Sequence, residues 1–550
     1  MPNTAAAQLP QVVKSTHSAR LQEQQSCSHS VAEMRLMPYC RVIESRSLPD
    51  RQVRLAWATA LSLLLCGCTV GPNFARPEPP TTKRYTPGEE DGAGGKVSPG
   101  VPQQTALLGQ KIVGDWWTLF RSPELDAVVK QAIAGSPTLA RSAATLAQAR
   151  ETARATAGVL YPQVNFDASA SRQKLTAASL GFSPAQFPVP ANFNLYSVGP
   201  TASYSLDLFG GNRRLVEQRE ALVQYQSYQL DAAYLSLTGN TVAEAIQFAS
   251  VRAQLKAVDD IINVDRQNVD LVKAERTAGM VADPDVVSAE SQLATDETLI
   301  PPLRQELSVA RHALAVLVGK APGEWSPPQF DLANIVLPGE LPVSLPADVV
   351  RQRPDILAAE SELHAASAAI GVATAQLYPN ITLSASIGEE ALSPNVLFNP
   401  SSLVWSIAAG LAQPIFDGGT READRRAALD AFKAAAADYQ QTVLVSFGQV
   451  ADVLLALAHD AELMSAERRA LDTASASLQL QRKSYAGGNT GILNVLDAER
   501  QFQQARLGYV RAEAQRYQDT VELLVAMGGG WWQGRTAANP TEAAAGQQAK

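Results

Sequence analysis

The chain has 550 residues and a formal net charge of −8 at pH 7, with a pI near 5.4 and a mean hydropathy of −0.08. That balance argues against a nucleic-acid binder, which needs clustered Lys and Arg. After Cys68 no stretch approaches ~18 consecutive apolar residues, so no membrane-spanning helix is expected.

Residues 1–50 are polar and without pattern; they read as an upstream extension, with Met34 or Met37 as the start of translation. Leu55 to Leu65 is an apolar run preceded by Arg51 and Arg54, of signal-peptide length and too short to cross a bilayer. It ends in Leu65-Cys66-Gly67-Cys68, which resembles a lipobox, so Cys68 is the expected lipidation site and the new N-terminus. Cys27, Cys40 and Cys66 lie upstream, which leaves a mature chain with one cysteine and no disulfide. Residues 71–104, rich in Pro, Gly, Thr and charge, read as an extended tether.

From there the chain repeats itself. Ser136-Pro137-Thr138-Leu139 and Leu160-Tyr161-Pro162-Gln163 recur, both at the same offset, as Arg353-Pro354-Asp355-Ile356 and Leu377-Tyr378-Pro379-Asn380. At an offset only slightly smaller, Gly211-Asn212-Arg213 recurs as Gly419-Thr420-Arg421, and Gly279, Ala289-Glu290 and Gly319 recur as Gly488, Ala498-Glu499 and Gly528. Offsets this steady imply one duplicated structural unit. The expected layout is signal and extension 1–67, tether segment 68–122, first repeat 123–320, Pro-rich linker 321–346, second repeat 347–530 and a disordered tail 531–550.

No proline falls between Asn212 and Pro284, or between Thr420 and Pro540, so each repeat can hold a helix of about 65 residues, ~100 Å long. Leu235, Gly239, Val242, Ile246 and Ala249 step by four, three, four and three, and Val443, Phe447, Val450, Leu454 and Leu457 do the same. That alternation is a coiled-coil seam, and the abundant Ala lets neighbouring helices approach on further sides. Before each long helix lie segments of period two. Val164, Phe166, Ala168 and Ala170 alternate with Asn165, Asp167, Ser169 and Ser171; Ile381, Leu383, Ala385 and Ile387 alternate with Thr382, Ser384 and Ser386. Tyr196 to Leu206 and Leu403 to Leu411 follow the same rhythm, and Phe166, Tyr196, Tyr204 and Trp405 add an aromatic belt. Segments of this length suit tilted membrane strands, with Leu383 and Trp405 facing lipid and Ser384 and Ser406 the lumen; a soluble hairpin with one wet face has the same pattern. Four strands cannot close a barrel, so membrane insertion would require an oligomer.

Several motifs in this order resemble the outer-membrane efflux protein family, the TolC-like channels, and its lipoprotein branch. They are Val70-Gly71-Pro72-Asn73-Phe74, Asp115-Trp116-Trp117-Thr118-Leu119-Phe120, Arg353-Pro354-Asp355-Ile356, Pro414-Ile415-Phe416-Asp417-Gly418-Gly419 and Asn494-Val495-Leu496-Asp497-Ala498. The resemblance implies a mostly α fold with a membrane β-barrel portion: a homotrimer closing one 12-stranded barrel above a periplasmic α-barrel. It further implies a lipid-anchored exit duct in the outer membrane, partnered by a periplasmic adaptor (membrane fusion) protein and an inner-membrane transporter of the RND type. A type I protein-secretion duct of the same fold and a periplasmic coiled-coil scaffold are the alternatives.

The turns at Gly279 and at Gly487, Gly488 and Gly491 would then dock the adaptor, and Asp283, Asp285, Arg276, Asn489 and Thr490 would line the periplasmic gate. Asp283 before Pro284 also reads as a helix start, with Pro at the first helical position. The histidines (His17, His29, His312, His364 and His459) are scattered without metal-ligand spacing, and no phosphate loop or nucleophile motif is present, so neither an enzyme nor a cofactor or metal site is expected.

Overall fold

The computed structural model describes residues 69–82, 84–86, 102–110, 112–174 and 192–530. The apolar run, Cys68, residues 87–101 of the tether and the tail from 531 lie outside the described residues.

Each repeat runs helix, two strands, long helix, returning helix. The first comprises α1 (Pro123–Gly135), α2 (Pro137–Ala157), β2 (Gln163–Gln173), β3 (Phe193–Leu206), α3 (Gly211–Thr277), α4 (Asp283–Glu297) and α5 (Ile300–Leu317). The second comprises α6 (Pro346–Gln352), α7 (Pro354–Ala375), β5 (Asn380–Ala391), β6 (Leu403–Ala412), α8 (Thr420–Ala486) and α9 (Ile492–Ala526). Before and between them, β1 (Thr105–Leu108) pairs in parallel with β4 (Glu340–Val343). Helices α3 and α8 each have 67 residues.

Proline decides where the shorter helices break. Residues 123–157 form two helices and not one, because Pro137 has no N–H to continue the ladder. Ser136 closes α1 and opens α2, its Oγ accepting from Leu139 N at 3.4 Å. Arg353 is its counterpart before Pro354, and its guanidinium binds Asp355 (3.1 and 2.7 Å), Gln449 (2.8 Å) and the Ala526 carbonyl (2.9 Å). That one side chain fastens α7 to α8 and to the end of α9. Pro301 and Pro302 likewise divide α4 from α5, whereas α9 runs unbroken for 35 residues.

The coiled-coil seams are packed. Leu235, Gly239, Val242, Ile246 and Ala249 are all buried; Val443, Val450 and Leu457 are buried, with Phe447 and Leu454 half-buried against the same core. That core lies about midway along α3, where Trp116, Trp117 and Phe120 join Ile112, Phe330, Leu341 and Val343. Outside the seams the helices leave apolar side chains bare, including Leu444 and Leu480 on α8 and Val309 and Val316 on α5. By composition α8 contains a window apolar enough to cross a membrane, although no such helix was expected; Val, Leu and Phe between Val443 and Leu457 raise the mean, while Gln449 and Asp452 keep the apolar run from being continuous.

Candidate functional site

Three features sit at defined places along the long helices: a sheet at one end, two turns at the other, and an N-terminal strap beside the sheet.

The sheet has four antiparallel strands in the order β2-β3-β5-β6, so the β3–β5 pair joins the two repeats. Its register stacks like upon like. On one face Val164 lies opposite Ala202, Tyr204 opposite Leu383, Ala385 opposite Ile407, and Ile387 opposite Trp405. The other face is a polar ladder: Ser169 and Ser197 at 2.9 Å, Thr201 donating to Asp167 at 2.7 Å, and Ser386 and Ser406 at 2.8 Å. Trp405, Ile407, Val164 and Phe166 are exposed on the apolar face. Beside the sheet's lower end Phe209 stacks on Tyr378 at 4.6 Å.

The segment that the sequence marks as an extended tether begins docked against the helices. Residues 69–76 are seated where β3 passes into α3. Val70 N donates to the Phe209 carbonyl at 3.0 Å. Arg214 of α3 donates to the carbonyls of Val70 and Gly71 (3.3 and 3.4 Å), to Asn73 Oδ1 (2.7 Å) and to Glu217 (2.7 Å). Glu217 also meets His364 Nε2 of α7 at 3.0 Å, and Phe74 stacks on that imidazole at 4.4 Å. Gly71 has φ +91°, and a Cβ there would lie 2.5 Å from Gly371 Cα, so this crossing admits glycine alone. Arg76 reaches Glu360 at 2.5 Å. The strap therefore holds together α3 of the first repeat and α7 of the second.

At the far end both turns are built alike. Met280 N bonds to the Glu275 carbonyl and Gly279 N to that of Arg276, each at 2.9 Å; Asn489 N bonds to Ser484 and Gly488 N to Tyr485, also at 2.9 Å. This six-to-one, five-to-two pattern is a Schellman closure, which needs a left-handed residue at its centre; Gly279 and Gly488 supply it at φ +76° and +73°.

Residues 128–320 and 345–529 match the family described as outer membrane efflux protein. The chain belongs to that family. It is 29% identical over 480 residues to nodulation protein T of Rhizobium leguminosarum bv. viciae, covering 87% of this chain and 94% of that one. It is 28% identical to the toluene efflux pump outer membrane protein TtgF of Pseudomonas putida, over 86% of this chain and 96% of that one. Among solved structures, the outer-membrane channel OprN is 29% identical with a TM-score of 0.75, over 84% of this chain and all of that one. The CmeC outer membrane channel of Campylobacter jejuni, at 19% identity and a TM-score of 0.74, shares the fold.

In this outer membrane efflux protein the two turns bring some of the expected gate residues together and leave others apart. Arg276 and Asp283 form an ion pair across the first turn. The helix start is shifted from the sequence expectation: Ala282 is the N-cap, Asp283 the first helical residue and Pro284 the second. Asp285, not Asp283, is the capping group, accepting from Ala282 N at 3.1 Å, because an acid at the third position reaches back to the freed N–H. In the second turn Thr490 Oγ1 accepts from Asn494 Nδ2 at 2.7 Å, while the Asn489 side chain lies near Gly487 and Gly491 precedes α9. The sequence reading missed the bond that ties the two turns' helices to each other. The Tyr485 hydroxyl of α8 donates to the Glu275 carboxylate of α3. Burial, then that carboxylate, pushes the Tyr485 hydroxyl up to about 12, so it keeps its proton and remains a donor. The two residues are 210 positions apart, with nothing local to mark them as a pair.

Proposed function

We propose that the chain is the outer-membrane exit duct of a tripartite efflux pump, passing small toxic compounds out of the periplasm when docked to an adaptor and an inner-membrane transporter. One observation carries the reading: a four-stranded sheet with one apolar face, one polar face and two edges, β2 and β6, unpaired among the described residues, set at the end of long helices. A barrel must be closed to satisfy its backbone in lipid, so the free edges call for further copies, and three copies supply twelve strands. The apolar side chains left bare on α5 and α8 would pack against those copies. Names of relatives such as the TtgF toluene efflux pump protein agree with efflux as the task.

The strap supports a lipid anchor at Cys68. Val70 is held against Phe209, so an acyl chain on Cys68, two residues earlier, would start within about 7 Å of that point, given the reach of an extended chain. That is the level at which the sheet ends and the helices begin. Cys68→Ser should abolish labelling by a radioactive or clickable fatty acid, and persistent labelling would remove the lipid from the scheme. Thr69 leaves the lipoprotein free to reach the outer membrane, and the barrel would anchor the duct even without its lipid.

At the opposite end the turns at Gly279, Gly487, Gly488 and Gly491 present Met280 and Leu493 to solvent, an apolar surface suited to an adaptor. Asp283 and Asp285, held by Arg276 and by the Ala282 cap, would stand three times around the trimer axis and attract cations. Bilayer recordings test the duct and its gate together. Unitary conductance from purified trimers is expected, and its absence would reject the duct. Asp283→Asn with Asp285→Asn should weaken cation selectivity and divalent block; unchanged selectivity with lowered thermal stability would reduce both residues to helix-start contacts.

A further inference from the structure

Two carboxyl clusters lie inside the helical region, away from the sheet and from the turns. In the first, Asp265 of α3 is 2% exposed and meets the buried Asp296 of α4 and Glu499 of α9. Asp265 Oδ2 has no hydrogen-bond partner. Gln503 of α9 lies beside Asp265, Gln292 of α4 donates to Asp296 at 2.8 Å, and Arg482 of α8 takes both oxygens of Glu499 at 2.9 and 3.0 Å. Three carboxyls thus share one guanidinium, and that guanidinium is spent on Glu499. The nearby Arg266–Glu297 and Arg506–Asp260 pairs sit at the surface and are already matched.

In the second cluster Asp460 of α8 meets Asp519 of α9, both buried, and Asp460 Oδ2 is again without a partner. The facing cation is Arg516 of α9, fully buried. Its Nε donates to Gln104 Oε1 at 2.8 Å, its Nη1 faces Met464, and its Nη2 makes no hydrogen bond. Gln515 donates to Asp519 at 3.0 Å, and the His459–Glu462 pair nearby is exposed.

Two carboxyls within hydrogen-bond reach and out of water cannot both ionise cheaply; one keeps a proton and donates it to the other. We propose that these clusters are proton-held clasps, Asp265 to Asp296 fastening α3 to α4 and Asp460 to Asp519 fastening α8 to α9, and that the helical barrel loosens as rising pH removes the shared protons. Burial, then the neighbouring carboxyl, raises Asp265 to about 7 and Asp460 to about 8. An unfolded Asp titrates near ~3.9. The folded chain therefore holds more protons between about pH 4 and pH 8, and stability falls as pH rises through that window.

Thermal unfolding of the full-length detergent-extracted protein reads this directly. The transition should drop by about 5 °C or more from about pH 5 to about pH 8. Asp265→Asn combined with Asp460→Asn should flatten the profile, because an amide donates to the remaining carboxylate without a titrating proton. An unchanged slope in the double variant would overturn the proposal. Should that variant not assemble, infrared spectroscopy of the wild type decides: a protonated-carboxyl band present near pH 6 and lost by about pH 9 supports the clasps, and its absence near pH 6 overturns them. Neither readout requires conduction, so failure here is distinct from failure of the duct.

Discussion

Leu383→Arg is expected to lower the yield of assembled trimer, at a cost approaching the roughly 2–4 kcal/mol of a lipid-facing arginine at the midplane, since Leu383 lies three residues into β5. Ser384→Arg, one residue on, is expected to assemble almost normally. Alternation along a strand sends successive side chains to opposite faces, and the register fixes which is which. Leu383 lies between Tyr204 and Ala409, among Ile381, Ala385 and Ile407, whereas Ser384 lies between Ser203 and Ala408, on the face of the Ser386–Ser406 bond. The check is the amount of heat-modifiable trimer recovered from outer membranes for each variant. Equal recovery would mean that the sheet does not meet lipid and would favour a periplasmic scaffold.

The strap carries the second large expectation. Arg214→Ala removes the side chain that joins the Val70 and Gly71 carbonyls, Asn73 and Glu217, and leaves Glu217 facing the His364 ring alone. Breaking such a buried, hydrogen-bonded cluster costs about 3 kcal/mol or somewhat more. Gly71→Ala should lose a similar amount by another route, since a Cβ 2.5 Å from Gly371 Cα cannot be accommodated at φ +91° without moving the backbone; left-handed strain and overpacking each contribute about 1–3 kcal/mol. The measurement is thermal dissociation of the trimer in a Cys68→Ser background, where any anchoring by lipid is removed. Wild-type stability in both variants would show that the strap is a passive leash.

The sequence by itself determined what short-range periodicity can carry. The period of two in β2, β3, β5 and β6 names the residues of each face, because neighbouring side chains on any extended chain point opposite ways. The step of four and three gives the seam of α3 and α8. Gly279 and its counterpart Gly488 mark equivalent Schellman turns, because only glycine takes that backbone without strain. Tertiary structure decided whatever depends on partners remote in sequence. Residues 71–104 have the composition of an extended tether, yet their first residues dock because Arg214, His364 and Gly371 wait for them on two distant helices. Strand β1 finds β4 across the whole of the first repeat. Tyr485 finds Glu275, and Asp265 and Asp460 find a second carboxyl, where an aspartate on a helix would by itself read as a solvated face. Periodicity records which way a side chain points; the charge, hydrogen bond or ring it meets there is set by how the two repeats fold against each other.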